Sequence, residues 1–436
     1  MKKLGIAIMI AGCAQGAQAA TAITTPATQP VKKPACEKCK QPSQAETPSG
    51  LTVTLGGSLD TQAGYRYQKR AFNKSAVDGD TLHKGAIVNE TKIDLGIEGK
   101  ANGLKYGGKI SLFADTSPHY NGNIIRIADT VSTFVETPYG KAEFGNSTSA
   151  SLQMQVSANN IARLPGGING KAQKWMSEFV YLPGATNDYD KFSSHFIKWP
   201  VLPIDNDHES AAGKVSYFTP KVYGLQAGIS YVVDSELHGT VAKTQSVAKT
   251  ADKEYKNIID GAIKYEGKFN EIEFTTALTG QMGDAKRKTA ALARNDLRAW
   301  ELGAMVKYHG FSVAGSYSDW HHTGAPKIKV PGLKYGASYW TAGLGYEQGN
   351  LGTSITYFNS RRANTNNAHP VADATNPNNK PDVGFNRFEL VSIGVDYKLA
   401  PGFMPYAEVS LFRDKHKGAA LSNKGSIVLA GTKLVF

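Results

Sequence analysis

The chain has 436 residues, a formal charge of +12, and is 41% hydrophobic and 10% aromatic, enough for one large core or one large barrel. No run approaches the ~20 apolar residues of a membrane-spanning helix, so helical spanning is excluded. A negative mean hydropathy excludes less, because strands around a wet interior are apolar on one face only.

Met1-Lys-Lys3, the apolar Leu4–Ala11 and Ala17-Gln-Ala19 predict a secretory signal cleaved after Ala19. Ile10-Ala-Gly-Cys13 also resembles a lipoprotein processing site, and a short buried helix is the bland reading. With the signal removed, Cys36 and Cys39 are the cysteines left. In an exported chain they can close a small disulfide or stay as idle thiols. A redox site would need a helix start after a strand, and one Cys-x-x-Cys is half a zinc site at best. Residues 20–50, with prolines at 26, 30, 34, 42 and 48, read as an extended Pro/Lys/Thr-rich linker.

From Leu51 the chain alternates. Leu51, Val53, Leu55, Leu59, Ala63, Tyr65 and Tyr67 share one face; Asp60, Gln62 and Arg66 share the other. Asn89–Gly99 sets Ile93, Leu95 and Ile97 against Lys92, Asp94 and Glu98, turns at Lys100–Gly103 and returns as Leu104–Ala114. The same hairpin recurs. Ile124–Glu136 turns into Tyr139–Asn146, although Asp129 fits neither parity there. Ala211–Thr219 turns into Gly224–Val233, and Tyr255–Glu266 turns near Gly267 into Phe269–Gln281. Asp296–Tyr308 is followed by Phe311–Trp320, Gly336–Tyr346 by Leu351–Arg361, and Phe385–Tyr397 by Phe403–Arg413. The last strand runs to Phe436, with Val428, Ala430, Thr432, Leu434 and Phe436 on one parity and Gly431 and Lys433 on the other.

One opening strand, seven hairpins and one closing strand make 16, an even number that puts both ends on one side. Seven connections are tight and eight are longer and polar, as expected of short periplasmic turns and long outer loops. Aromatics cluster beside the tight turns (Tyr106, Tyr139, Tyr223, Tyr265, Tyr308, Tyr346, Tyr397 and others), the pattern of an interfacial girdle. Residues 147–210 are out of scale as a connection and predict a functional loop. The fold expected is therefore all-β: a 16-stranded antiparallel transmembrane β-barrel with a long, inward-folded third loop.

Leu51–Asp60, the Asn102-Gly-Leu-Lys-Tyr-Gly107 turn, Val215–Pro220 followed by Gly224–Tyr231, the terminal Phe436 and the outsized third loop together resemble a Gram-negative general diffusion porin. The likeness covers residues 51–436. It implies a homotrimer in outer-membrane lipid, placed there by the barrel assembly machinery, for which Phe436 forms part of the signal. It also implies that the third loop forms a constriction where basic strand residues face acidic loop residues. The extension with Cys36 and Cys39 and the greater length of the third loop depart from the family's usual pattern.

The function expected is a passive channel for small hydrophilic solutes and ions, with no cofactor, metal or nucleic acid involved. Strand parity assigns Asp60, Arg66, Lys92, Asp94, Lys109, Arg126, Lys141 and Lys214 to the pore wall. The loop contributes Arg163, Lys171, Lys174, Glu178, Asp188 and Asp190. Opposed charges there would set a transverse field across the pore, and the basic strand set would lean it towards anions. An anion or phosphate channel and an adhesive surface barrel are the alternatives. An enzyme is disfavoured, because His195, His208, His309, His321 and His322 fall into no triad or metal-ligand spacing.

Overall fold

The computed structural model describes residues 50–73, 81–115, 120–121, 124–125, 127–168, 171–176, 196–207, 212–235, 255–286, 293–325, 327, 334–363, 384–415 and 422–436. They belong to one compact unit, Ser49–Phe436. The expected signal, the linker, Cys36 and Cys39 lie outside the described residues.

Sixteen strands form a closed antiparallel barrel. The first five are β1 (Leu51–Gln68), β2 (Gly85–Ala101), β3 (Leu104–Phe113), β4 (Ala128–Thr137) and β5 (Gly140–Asn146). After the long loop come β6 (Gly213–Phe218), β7 (Leu225–Asp234), β8 (Tyr255–Phe269), β9 (Ile272–Ala285), β10 (Leu297–Tyr308) and β11 (Phe311–Asp319). The chain then adds β12 (Ala337–Gln348), β13 (Leu351–Ala363), β14 (Phe385–Tyr397), β15 (Phe403–Lys415) and β16 (Lys424–Val435). Every strand pairs with its sequence neighbour, and β1 closes on β16 from Ser58↔Val435 to Gln68↔Gly425. Beyond that register the backbone of Phe436 exchanges hydrogen bonds with Gly57, at 3.0 and 3.2 Å. Closure leaves the barrel itself without an edge strand.

The alternation has a direct cause. Outward positions such as Val53, Leu55, Ile87, Ile229, Leu278, Ile393 and Val428 expose large apolar side chains, as a lipid-facing wall requires. The opposite parity holds Ser216, Ser230, Thr279, Ser316, Thr341, Thr356, Ser392 and Ser410, all buried inside. Tight turns sit at one end. Asn102-Gly103 and His309-Gly310 both take positive φ at both positions, the backbone that matches the twist of a two-residue hairpin.

The structure shifts some expected boundaries. The turn between β8 and β9 falls at 270–271, where Asn270 takes φ 53°, and not at Gly267. The expected arm Ile124–Glu136 is two pieces: Tyr120–Asn121 and Ile124–Ile125 pair with each other, while β4 begins at Ala128. Within β4, the register shifts between the pairs Ser111↔Thr130 and Leu112↔Ala128 and leaves Asp129 as the extra residue. It explains why Asp129 fits neither parity: its carboxylate turns to meet Lys92.

Candidate functional site

The large loop enters the barrel through short elements: α1 (Ala150–Met154), the 3-10 turn Ala158–Asn160, α2 (Lys171–Trp175) and α3 (Pro203–Asp207). Its backbone is held by inward side chains of successive strands. Ala150 N–H donates to Ser230 Oγ on β7 at 2.9 Å, and Ser151 N–H to Asp260 Oδ1 on β8 at 2.7 Å. Ile204 N–H reaches Gln281 Oε1 on β9 at 3.2 Å, and Gln155 Nε2 reaches Glu301 Oε2 on β10 at 2.6 Å. Ala158 N–H donates to Thr341 Oγ1 on β12 at 3.1 Å, Thr356 Oγ1 on β13 donates to Gly166 O at 2.6 Å, and Gly166 N–H donates to Glu408 Oε2 on β15 at 2.9 Å. All but the Gln155–Glu301 bond, which joins two side chains, satisfy a loop backbone group that would otherwise be stranded away from water.

Close approach needs small wall residues. A side chain at Gly303 would collide with the Val156 carbonyl, and one at Gly394 with the Pro165–Gly166 backbone. Between loop and wall lies a hydrophobic core. Ile168, Ala172, Trp175, Phe196, Ile197 and Leu202 of the loop pack against inward-facing Phe358, Phe388, Leu390, Phe412, Ile427 and Leu429. The period-two reading missed this core. Its signal was present, since β14–β16 are apolar on both parities.

The wall opposite is different. Inward residues of β2 and β3 are charged and wet: Lys92, Asp94, Glu98 and Lys109 have 46%, 38%, 48% and 58% of their side chains exposed. A cavity of about 590 Å³ is lined by Asp94, Glu98, Lys105, Lys109, Glu136, Lys141 and Glu143, with Ser147, Thr148 and Gln153 from the loop's first turn. The charges pair along the wall. Lys92 meets Asp129; Lys109 lies 3.6 Å from Asp94; Lys105 lies 3.1 Å from Glu98 and 4.0 Å from Glu136; Lys141 lies 2.6 Å from Glu143. Register produces this arrangement, because Gly96↔Lys109 and Glu136↔Lys141 put these groups on one face.

Two residues assigned to the pore wall face inward but are covered. Asp60, 4% exposed, accepts from Tyr406 Oη at 2.7 Å; Lys214, 5% exposed, donates to Ser147 O beneath the loop. Parity gives direction and not cover, which is why the sequence placed both in the open lumen. Arg66 bonds Trp175 O at 3.0 Å and His83 O at 3.1 Å, joining wall to loop.

Both polarities occur between loop and wall among the described residues: Lys214 of β6 faces Asp205 of the loop, and two loop cations meet wall carboxylates. Arg163 pairs with Asp396 on β14 and, at 3.4 Å, with Glu347 on β12; Lys174 pairs with Glu90 on β2 at 2.8 Å. These are loop cations on wall carboxylates. Arg126, Glu178, Asp188, Asp190 and the side chain of Lys171 lie outside the described residues, as do His195 and His208. His309 meets Glu271 at 2.6 Å and His321 meets Asp319 at 3.9 Å, both near strand ends.

A closed 16-strand barrel, apolar outside, charged inside and entered by its own third loop, is the architecture of a membrane channel. The Gram-negative porin family model matches residues 7–417. The chain belongs to the Gram-negative porin family, and is thus an outer-membrane channel protein. An uncharacterized protein of Rickettsia conorii is 27% identical over 91% of this chain and 95% of its own length, and one of Rickettsia prowazekii is 26% identical over 89% and 93%. Among solved structures, the anion-selective porin of Comamonas acidovorans has a TM-score of 0.53 at 15% identity, covering 88% of this chain and all of that one. A loop-deletion mutant of OmpT, an outer membrane protein of Vibrio cholerae, has the same TM-score at 13% identity, covering 89% of this chain and all of that one. These structural likenesses speak to the fold.

Proposed function

We propose that the chain passes small hydrophilic solutes and ions by passive diffusion, with little preference for either sign of charge. The passage runs between the loop and the β1–β5 wall. One observation favours this route above the others: the backbone anchors of 150–166 and 204 fall on β7–β15, α2 bonds β1 and β2 at Arg66 and Glu90, and the exposed, laterally paired charges line β2–β5. Conduction needs a polar wall that does not hold its cargo, and alternating, laterally paired charges supply one. Residues 147–210 act as the constriction, and a homotrimer in outer-membrane lipid is the assembly, with Phe436 as part of the signal read by the assembly machinery. Residues 1–19 serve as the signal and 20–50 as a linker.

Planar-bilayer recording of the refolded protein tests the reading. Steady ohmic steps that pass both potassium and chloride are expected. Silence from correctly folded protein would overturn it in favour of an adhesive surface barrel, and strict exclusion of cations in favour of an anion channel.

A further inference from the structure

At the long-connection end of β13–β16 the outward parity is cationic. Register sets Arg361 of β13 beside Arg387 of β14, Arg387 beside Lys415 of β15, and Arg413 of β15 beside Lys424 of β16. Arg361, Arg387, Arg413 and Lys424 are exposed, and Lys69, Arg70 and Lys84 of the β1–β2 connection stand exposed next to them. Two adjoining surface clefts, of about 850 and 650 Å³, share Lys69, Arg413 and Lys424; the first adds Tyr67, Arg70 and Lys84, the second Phe385, Arg387 and Lys415. Among the described residues Glu389 is the acid on this outward face. None of these seven cations and Lys415 makes an ion pair with another described residue.

Such a cluster is costly without a counter-charge. Like charges on directly opposed strand positions repel, and the parity of Arg361, Arg387, Arg413 and Lys424 points away from the lumen; of these four, Glu389 stands opposite Arg413 alone. Elsewhere the outward parity is apolar, as at Val409, Leu411 and Val428 on the same strands. The band therefore begins where the lipid tails end. With long connections on the outer side, it lies at the headgroup level of the outer leaflet. Arginine forks match phosphate oxygens in bidentate pairs, and Lys69, Lys415 and Lys424 add point charges. Tyr67 and Phe385 at the cleft margins offer apolar edges for the glycerol or sugar beside a phosphate.

We propose that this band is a binding site for a phosphate-bearing lipid headgroup of the outer leaflet. It rests on the outer-membrane orientation and is independent of what the channel conducts. A second copy of the same chain fits poorly, because its own cationic band would have to be buried against a carboxylate-poor face.

The probe is lipid A, whose diglucosamine headgroup carries two phosphates, doped into phosphatidylcholine nanodiscs that hold the full chain; native mass spectrometry counts the lipid A retained. The wild type is expected to keep lipid A and to lose it when dephosphorylated lipid A replaces it. A variant with Arg387→Gln, Arg413→Gln and Lys424→Gln is expected to retain it roughly a hundredfold less well, since each juxtamembrane cation contributes about a factor of five. Unchanged conductance and strand-rich circular dichroism in that variant confirm that its barrel is folded. Equal retention of the phosphorylated and dephosphorylated lipids would overturn the proposal. So would displacement of lipid A by free pyrophosphate at matched concentration, which would make this a soluble-anion site. A variant that loses subunit association but keeps lipid A would overturn it too, and would make the band a protein interface.

Discussion

Two loop residues decide how firmly the loop is seated. Asp205 in α3 is half-buried against the wall; its Oδ2 accepts from Gln281 Nε2 at 3.1 Å and its Oδ1 meets no partner among the described residues. Burial, reinforced by the facing Asp260, pushes this carboxyl up to about 7, against the opposing pull of Lys214 and the hydrogen bonds from Gln281 and Ser149. A carboxyl whose pKa is higher when seated than in the open chain binds its proton more tightly in the seated state. The stabilisation is complete below about 4 and is lost as pH rises through about 7. Single-channel current noise should therefore grow between about pH 4 and 7 in the wild type and stay flat in Asp205→Asn; equal growth in both would remove Asp205 from the latch. Arg163 is the second residue. Its side chain and that of Asp396 are 11% and 4% exposed, so removing one partner strands the other's charge at a cost of about 3–5 kcal/mol. Arg163→Ala should lower the temperature of heat-modified gel mobility, and Arg163→Met with Asp396→Asn should restore most of it. A double variant as unstable as the single would show that packing, and not the charge pair, holds this point.

At the scale of elements, the strands were legible because a wall between lipid and water forces side chains to alternate, and Asn102-Gly103 or His309-Gly310 mark the turns. The loop was legible only as a length. Nothing in its sequence says that Ser151 meets Asp260 or Gln155 meets Glu301, because those pairs span more than a hundred residues and depend on the barrel first closing. The inward glycines were equally silent: glycine in a strand signals close approach without naming what approaches. Gly303 gives the sharpest test. Replacing it with Leu would drive a side chain into the Val156 carbonyl, so α1 and the Ala158–Asn160 turn could not sit on β10–β12. Gly303→Leu should raise mean conductance and its fluctuations, whereas Gly261→Leu, on the outward parity of β8, should leave both near wild type. Matching traces for the two variants would place the loop away from the conducting path.

For the whole molecule, charge balance separates a selective channel from a permissive one. The formal charge of +12 suggests an anion lean, but net charge does not say where charge sits. Much of the cationic excess is outside the lumen, at Arg361, Arg387, Arg413, Lys415 and Lys424, where solutes in the passage do not meet it. Within the passage, Lys92, Lys105, Lys109 and Lys141 each lie beside a carboxylate of the same wall. A paired charge in water projects little field beyond a Debye length of about 8 Å at physiological salt. The reversal potential in a tenfold potassium chloride gradient should thus sit close to zero, far from the ~59 mV of a perfectly selective pore. Replacing Lys92, Lys109 and Lys141 together with Gln leaves Asp129, Asp94 and Glu143 uncompensated. Their combined field then faces the passage, and the reversal potential should swing towards cations with open conductance little changed, because Gln nearly matches Lys in bulk. A triple variant whose reversal potential stays at the wild-type value would show that ions travel elsewhere than along β1–β5, and would undo both the route and the balance proposed for it.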